Sequence, residues 1–379
     1  MRRILIFSTA YLPLIGGAEV MVKEITDRLG TEFEFVLVTA QLRAELPSHE
    51  RIGAVEVHRI GRGYWSDKLL LAFYGARYAR SLGGFDAVWG IMASYGGLAA
   101  LRYKKMHLRT KFLLTLQEGD SRAHIYARVW WWWPYFTQIF KRADKIQAIS
   151  NYLAEWAREM GARCAVDVVP NGVDAAKFSP PDEVARARAR AEVRQQYGIS
   201  LNAPLVVSVS RLVPKNGIAD LIQAMKFLPE DAHLMIVGEG VLSRSLHALV
   251  QTKGLKDRVH FVGFVSHNDL PRYLWASDIF CRPSLSEGLG NVFLEAMAAG
   301  VPVVAPQVGG IKDFLIDGET GLFCKIGDTL DIAQKIKLIL VDKHLSEYLR
   351  KNGLQLVRDK FYWSNIARQM KNILCYLCV

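Results

Sequence analysis

The chain has 379 residues, of which 51% are hydrophobic and 22% are charged. This length exceeds a typical single core and favours two folded domains, and the composition excludes a disordered chain. No uninterrupted apolar run reaches the roughly 18 residues of a membrane-spanning helix. Polar Ser8 and Thr9 interrupt the apolar start. We therefore expect a buried first strand rather than a secretory signal peptide, and a cytoplasmic protein.

The charge is basic, with a formal net value of +11, and residues 1–170 carry 23 basic and 16 acidic side chains. Such a balance suits nucleic acid, an anionic membrane or a phosphate-bearing substrate. No zinc finger, helix-turn-helix or RNA-binding signature is present, so we expect no nucleic-acid partner. The five cysteines are odd in number and scattered, which argues against a disulfide framework.

Short apolar runs alternate with helical stretches along the first half of the chain. This alternation predicts a parallel sheet covered by helices on both faces. The predicted strands span residues 4–7, 35–38, 55–60, 87–91, 112–116, 146–149 and 166–169.

Turn-forming residues are dense between residues 170 and 204, which indicates a domain junction. The alternation then resumes, so the sequence predicts two Rossmann-like doubly wound α/β domains. We place the first at residues 1–175 and the second at 176–361, with a C-terminal helix at about 362–379 joining the first. The predicted strands of the second half span 205–209, 234–237, 259–262, 279–282 and 302–305.

Ligands of open α/β sheets bind beyond the carboxyl ends of the strands, so the loops there are the candidate sites. Gly16 and Gly17 follow the first strand and begin a helix, where backbone N–H groups favour an anion; an ordinary tight turn is equally consistent. Arg211 and Lys215 follow a later strand and suit a diphosphate, although a solvated loop is the alternative. Gly238 belongs to a truncated G-x-G-x-x-S pattern, which is weak evidence for a dinucleotide.

The most informative segment runs from Pro283 to Ala305 and carries Glu287 and Glu295 with seven residues between them. Gly290 leads into a short helix at about Asn291, whose first amides, including that of Val292, would face a diphosphate. The carboxylates are suited to sugar hydroxyls and to a ribose diol. A dipole-complementing acid and a solvated glutamate are the alternative interpretation.

The segment RPSLSEGLGNVFLEAMAAGVPVVAPQVGGIKDFLIDGETG, at residues 282–321, strongly resembles retaining glycosyltransferase family 4 of the GT-B fold. The resemblance extends to VPNGVD, SRLVPKNG, VGEG and the N-terminal GGAE, and so covers essentially the whole chain. It implies two Rossmann-like domains facing a central cleft. It also implies a hexosyltransferase that uses a nucleoside-diphosphate sugar, UDP- or GDP-linked, with retention of configuration and without a metal or cofactor.

The resemblance also implies roles for individual residues. Arg211 and Lys215 are similar in position to the diphosphate clamp, Glu287 to the donor-sugar contact and Glu295 to the ribose ligand. Gly16 and Gly17 resemble the loop that closes on the donor, and residues 263–265, with Phe264 at their centre, resemble the loop at the base.

One departure from the family concerns the loop after residues 112–116, where Gln117 stands in place of a frequent histidine. A glutamine hydrogen-bonds a sugar hydroxyl but carries no charge. The candidates for acceptor or sugar contacts are Gln117, Glu118, Asp120 and His124.

Two features of the first half suggest an anionic membrane as a partner and a glycan or lipid-linked acceptor. Residues 102–111 hold five cations and no acid, and four consecutive tryptophans follow at 130–133. Tryptophan and surface cations favour an anionic headgroup region, and four successive helical positions cannot all face one core. A solvated loop and a domain core are the alternative.

Other candidate functions are a same-fold nucleotide-sugar epimerase, a phosphorylase, an NAD-dependent dehydrogenase and a non-catalytic sugar-nucleotide-binding protein.

Overall fold

The computed structural model describes residues 1–179 and 182–378. The chain forms two compact units, each with its own sheet. We call the first, Met1–Gly172 together with the segment from Trp363, the N-unit, and the second, Val173–Tyr362, the C-unit.

The N-unit contains an eight-stranded sheet in the order β3-β4-β2-β1-β5-β6-β7-β8. All neighbouring pairs in it are parallel except β3 and β4, which are antiparallel. The strands are β1 (Arg2–Ser8), β2 (Phe33–Ala40), β3 (His49–Ile52), β4 (Val55–Ile60), β5 (Ala87–Ile91), β6 (Lys111–Leu116), β7 (Lys145–Ala148) and β8 (Val166–Val168).

Helices cover both faces of this sheet. Ile4 and Ile6 belong to a core that includes the apolar sides of the first and last helices, whereas Phe7 faces the helices in between. The N-unit helices are α1 (Gly17–Leu29), α2 (Asp67–Arg80), α3 (Tyr95–Met106), α4 (Arg122–Val129), α5 (Trp133–Lys141), α6 (Asn151–Glu159) and, after the C-unit, α15 (Trp363–Leu377).

The C-unit contains a six-stranded sheet in the order β11-β10-β9-β12-β13-β14, parallel at every pairing. Its strands are β9 (Leu205–Val209), β10 (His233–Val237), β11 (Val259–Gly263), β12 (Ile279–Cys281), β13 (Val303–Pro306) and β14 (Leu322–Cys324). Its helices are α7 (Ala175–Phe178), α8 (Glu183–Gln196), α9 (Ile218–Ala224), α10 (Ser243–Thr252), α11 (Leu270–Ala276), α12 (Asn291–Ala298), α13 (Thr329–Val341) and α14 (Lys343–Lys360).

The prediction of two doubly wound α/β halves is confirmed. The sequence missed β3, because its residues alternate between exposed and half-buried positions and form no apolar run. It also missed the three-residue strand β14. No helix among residues 1–179 and 182–378 is both long and apolar enough to span a membrane.

Candidate functional site

The C-unit sheet has a topological switch point between β9 and β12, because the chain proceeds outward from these two central strands in opposite directions. Ligands of open α/β sheets bind at the carboxyl ends of strands beside such a point. The loop after β9 carries Arg211 and Lys215, and the loop after β12 carries Glu287. The fold therefore brings three predicted site residues to the two loops that flank the switch point.

Backbone contacts hold these loops against one another. The amide of Leu285 donates to the carbonyl oxygen of Lys215 at 2.7 Å. Gly217 has a φ of 66°, and a Cβ there would lie 2.0 Å from the carbonyl oxygen of Pro283. Only glycine allows this approach, so the Lys215 loop and the Pro283 loop form one cradle.

The loop after β10 joins the same cradle. Gly238 has a φ of 127°, and a Cβ there would lie 2.0 Å from the carbonyl oxygen of Ser210. The amide of Leu212 donates to the carbonyl oxygen of Glu239 at 2.8 Å. Gly238 is therefore required for the close packing against the loop that carries Arg211, and its contact with a nucleotide stays a prediction.

The two predicted diphosphate ligands differ in burial: Arg211 is exposed and Lys215 is half-buried. Asn216 lies between Lys215 and Gly217 and is buried, and its side-chain amide donates to the carbonyl oxygen of Arg211 at 2.7 Å. The backbone of the loop is therefore fixed where Arg211 and Lys215 are attached.

Glu287 is buried and forms an ion pair with Arg282, a residue that the sequence analysis did not select. The hydroxyl of Ser284 also donates to Glu287 Oε1, at 2.9 Å, and Arg282 Nε donates to Ser284 Oγ at 3.0 Å. The Arg282 guanidinium lies 4.5 Å from the centre of the Phe293 ring. Arg282 and Ser284 thus both contact Glu287 Oε1, and Arg282 compensates for the burial of its charge.

Helix α12 begins directly after this loop. Its N-cap, Gly290, has a φ of 91°, and a Cβ there would lie 2.6 Å from the Phe293 ring. Asn291 and Val292 form the first turn and are partly exposed. The first amides of a helix lack intrahelical acceptors, so this turn presents N–H donors and the positive end of the helix dipole.

Glu295 lies on α12 and contacts a second residue that sequence reasoning missed. His267 Nε2 lies 3.0 Å from Glu295 Oε1, and His267 Nδ1 lies 3.2 Å from Lys177 Nζ. The Phe178 ring packs beside the His267 ring, with centroids 5.1 Å apart. The Glu295 carboxylate is therefore oriented by a Lys177–His267 pair, both members of which stand outside the motif around Glu295.

The loop predicted to contact the base follows β11. Gly263 has a φ of 81°, and the next residue, Phe264, has 73% of its side chain exposed. The Phe264 amide donates to Glu239 Oε1 at 3.3 Å, which links this loop to the Gly238 loop. An exposed aromatic ring thus stands at the same edge of the sheet as the cradle.

In the N-unit, the switch point lies between β1 and β5. Gly16 is the N-cap of the 13-residue helix α1 and Gly17 is its first residue; Gly17 is exposed and Gly16 half-buried. Gly16 makes no side-chain capping hydrogen bond, so the first turn of α1 resembles that of α12 in presenting backbone donors.

The loop after β6 holds the candidates for acceptor contacts, and two of them are already engaged. Gln117 exchanges two hydrogen bonds with the side-chain amide of buried Asn171, at 3.0 and 2.9 Å. Glu118 is buried, and its two carboxylate oxygens accept from the amides of Ala93, at 2.5 Å, and Gln117, at 2.9 Å. Glu118 therefore clamps the loops after β5 and β6 together.

The remaining candidates, Asp120 and His124, lie nearer the surface. Asp120 is half-buried, and His124 is exposed in the first turn of α4. The His124 amide donates to Ser121 Oγ at 3.3 Å, which makes Ser121 the N-cap of α4. The imidazole itself is thus at the surface, and both residues stay candidates for acceptor contacts.

The tryptophan run divides between solvent and partial burial, as four successive helical positions require. Trp130 and Trp131 are exposed, at 73% and 68%, whereas Trp132 and Trp133 are half-buried against Phe136. The predicted exposure of at least one tryptophan is confirmed.

One group of potential metal ligands occurs among the described residues, formed by His49, Glu56 and His58. It lies on β3 and β4 at one end of the N-unit sheet, three strands from the switch point. The described part of the C-unit contains no comparable group. The absence of a metal from the donor site stays a prediction.

Two family models match the chain. Residues 15–177 match the model described as Glycosyltransferase Family 4, and residues 189–356 match the model described as Glycosyl transferases group 1. A curated relative, the GDP-mannose-dependent alpha-(1-6)-phosphatidylinositol monomannoside mannosyltransferase of Mycobacterium tuberculosis, is 32% identical over 243 residues. The alignment covers 61% of this chain and 61% of the relative, which is less than two thirds of either.

Solved structures match over nearly the whole chain. Sucrose-phosphate synthase from Thermosynechococcus elongatus is 24% identical, with a TM-score of 0.86 over 100% of this chain and 99% of that one. Anabaena HepE in complex with UDP and glucose is 21% identical, with a TM-score of 0.80 over 99% and 100%. At these identities the matches establish the fold alone, which is GT-B. The two family models, which match both halves of the chain, show that it belongs to glycosyltransferase family 4.

Proposed function

We propose that this protein is a glycosyltransferase that moves a hexosyl group from a nucleoside-diphosphate sugar to a glycan or lipid-linked acceptor. The observation that carries the proposal is the C-unit cradle, where Arg211 and Lys215 face the same sheet edge as Glu287 and the first turn of α12. Cations and helix N-terminal amides are the groups that bind a diphosphate, and carboxylates accept hydrogen bonds from hydroxyls.

The donor would bind with its diphosphate between the loop after β9 and the first turn of α12. Ser210 Oγ, at the end of β9, supports a polar ligand here, since it is buried and has no hydrogen-bond partner among the described residues. We assign Glu295 to the ribose diol and Glu287 to the donor sugar. HepE, whose structure contains UDP and glucose, has the same fold.

As the bond from the sugar to the diphosphate breaks, negative charge develops on the departing nucleoside diphosphate. Arg211, Lys215 and the N–H groups of Asn291 and Val292 would stabilise that charge from fixed positions, the electrostatic role that metals play elsewhere. We therefore propose transfer without a metal or other cofactor. Family membership supports attack on the same face as the leaving group, and so retention of configuration.

We assign the acceptor contacts to the N-unit loop after β6, where Asp120 and His124 lie nearer the surface. The curated relative is named for action on a phosphatidylinositol monomannoside. We extend this to the present chain as a lipid-linked or glycan acceptor in cell-surface polysaccharide or glycolipid synthesis, with the protein at the inner face of the cell membrane.

The test begins with a thermal-shift screen of UDP- and GDP-linked sugars, followed by product analysis with the donor that binds. Transfer with the anomeric configuration of the donor, measured by NMR in excess chelator, supports the proposal. Interconversion of the donor sugar without transfer would indicate an epimerase, and donor binding without any turnover would indicate a sugar-nucleotide-binding protein. Either result refutes the proposed transfer.

A further inference from the structure

Helix α2 of the N-unit has its bulky and its small residues on unexpected sides. Its buried side consists mainly of small residues, namely Ala72, Gly75, Ala76 and Ala79 beside Leu71. Its exposed side carries large apolar and aromatic side chains at helical spacing, namely Leu69, Leu70, Phe73, Tyr74 and Tyr78. A surface helix ordinarily buries the large apolar residues and exposes polar ones.

Close packing against the sheet explains the small residues. A Cβ at Gly75 would lie 3.3 Å from the Phe7 ring and 3.6 Å from Ala99 on α3. The inner side of α2 thus leaves no room for a bulky residue. This packing does not require the outer side to be apolar, and Phe73 (47%) and Tyr74 (58%) remain substantially exposed to water.

The apolar surface continues into the loop that precedes α2. Tyr64 and Trp65 are 64% and 75% exposed, and they follow β4 at the carboxyl edge of the sheet, the edge that carries the predicted acceptor loop after β6. We call Tyr64, Trp65 and the exposed side of α2 the α2 face. It reaches from the acceptor edge along the length of the helix.

Cations border the α2 face, and one acid, Glu56, approaches it at Tyr78 through His58. Arg77 and Arg80 are exposed on α2 itself, and the Arg102 guanidinium lies 4.6 Å from the centre of the Phe73 ring. Residues 68–85 and 87–117 contain no Asp or Glu. The one acid of α2, Asp67, is buried and accepts hydrogen bonds from the amides of residues 62, 63 and 64. An apolar surface bordered by cations complements an anionic bilayer.

The structure revises the basic segment that suggested a membrane. Lys104 is turned inward, where it pairs with Asp144 at 2.9 Å and donates to backbone carbonyls of residues 108 and 110. Lys105 and Arg109 remain exposed. The membrane argument therefore rests on the α2 face and the end of α3, in addition to the exposed Trp130 and Trp131.

We propose that the α2 face lies in the headgroup region of an anionic bilayer, with α2 parallel to the membrane plane. Membrane binding follows from the α2 face itself. Only its role, which is to bring the acceptor edge to the level of a lipid-linked acceptor, rests on the proposed function. Leu70, Phe73 and Tyr74 enter the apolar boundary, Tyr64 and Trp65 take the interfacial positions that aromatic residues favour, and Arg77, Arg80 and Arg102 contact anionic headgroups.

A second copy of the chain fits the α2 face less well. Two-fold pairing of identical faces would bring Arg77 and Arg80 of both copies into one interface, with no exposed acid on α2 to compensate them. Like charges at an interface oppose association, whereas anionic lipid neutralises the same cations.

The experiment is vesicle flotation of the full chain with phosphatidylcholine alone and with added phosphatidylglycerol. We expect binding only to the anionic vesicles, and weaker binding as salt rises. Leu70→Ser with Phe73→Ser should lower the partition coefficient at least about tenfold, because binding scales with the apolar area that enters the bilayer. The matched control is Val341→Ser with Tyr348→Ser, which removes exposed apolar side chains from the C-unit and should leave flotation unchanged.

Flotation needs neither donor nor acceptor, so its outcome is independent of the proposed activity. The proposal is overturned if the wild type stays unbound to anionic vesicles at low salt, or if the α2 variant floats like the wild type. It is also overturned if both double variants lose flotation equally. Light scattering with no vesicles completes the test: a dimer that only the α2 variant dissociates would assign the α2 face to a second copy instead.

Discussion

Glu118 offers a test of whether the loop after β6 is fixed by a buried carboxylate. Burial raises the pKa of Glu118 from its ordinary 4.5 to about 7, although hydrogen bonds from the amides of Ala93 and Gln117 act in the opposite direction. The folded protein therefore holds a proton on Glu118 between pH 4.5 and 7, where the unfolded chain does not. The free energy of unfolding consequently falls as pH rises through this window.

The magnitude follows from the difference between the two pKa values. Each pKa unit corresponds to about 1.4 kcal/mol, so charging buried Glu118 costs the folded state about 3 kcal/mol by the time the pH exceeds 7. Glu118→Gln removes the titration and keeps a side chain of the same shape. Its free energy of unfolding should therefore lack this fall with pH, and the variant should gain on the wild type as the pH rises.

The assay is urea unfolding of the wild type and Glu118→Gln across the range from about pH 5 to about pH 8. Glu155→Gln, an exposed position on α6, is the control and should follow the wild-type profile. Parallel profiles for the wild type and Glu118→Gln would refute the raised pKa. A variant that instead raises the acceptor KM at every pH, with no change in the stability profile, would make Glu118 an acceptor contact rather than a clamp.

Three further predictions concern the donor side. Lys215→Ala or Glu295→Ala should lower turnover at least about tenfold, or about 1.4 kcal/mol of transition-state stabilisation, and full activity in both folded variants would remove them from the site. Transfer should persist in excess chelator, and a complete loss that added metal restores would contradict this. Gly309→Ala should destabilise the C-unit and weaken donor binding, because φ is +50° and the new Cβ would lie 1.8 Å from the carbonyl oxygen of Glu287. Gly318→Ala, at a φ of +76° with no atom within 4 Å, measures the backbone strain alone in a thermal-unfolding comparison.

The sequence predicted the central strands because both faces of a parallel sheet are buried, which imposes continuous apolar runs such as residues 4–7 and 205–209. Once the strands are placed, the loops at their carboxyl ends follow, and with them Arg211, Lys215 and the loop of Glu287. Edge strand β3 escaped prediction because one side of it faces solvent. A strand that is not buried on both faces has no continuous apolar run by which the sequence could reveal it.

The side chains that complete the site were harder to predict, because their roles depend on burial or on contacts distant in sequence. Arg282 reads as an ordinary cation until the fold buries it beside Glu287. His267 meets Glu295 from 28 residues away, and Asn171 meets Gln117 from 54 residues away. The sequence did not predict the α2 face, because its leucines resemble the apolar pattern of a core-facing helix. Only the structure shows that the small residues of α2 face inward.

The two units therefore constrain the substrates unequally. In the C-unit, the loops approach so closely that glycine is required at positions 217 and 238. Any chain that forms the same cradle would need glycine at these positions. In the N-unit, glycine is also required at the start of α3, where a Cβ at Gly97 would lie 2.5 Å from the carbonyl oxygen of Met92, but this contact bears little on the proposed acceptor. The position of the α2 face does bear on the acceptor. The α2 face begins with Tyr64 and Trp65 at the carboxyl edge of the N-unit sheet. If this face lies in the headgroup region, the acceptor edge lies at the level of acceptors in the bilayer surface. A lipid-linked sugar is presented at the bilayer surface, whereas a freely diffusing sugar needs no membrane-bound enzyme. We therefore expect a higher transfer rate to the same acceptor head group on anionic vesicles than in solution, and loss of this difference in the variant Leu70→Ser with Phe73→Ser. Equal rates in both settings would show that membrane binding by the α2 face plays no part in the transfer reaction.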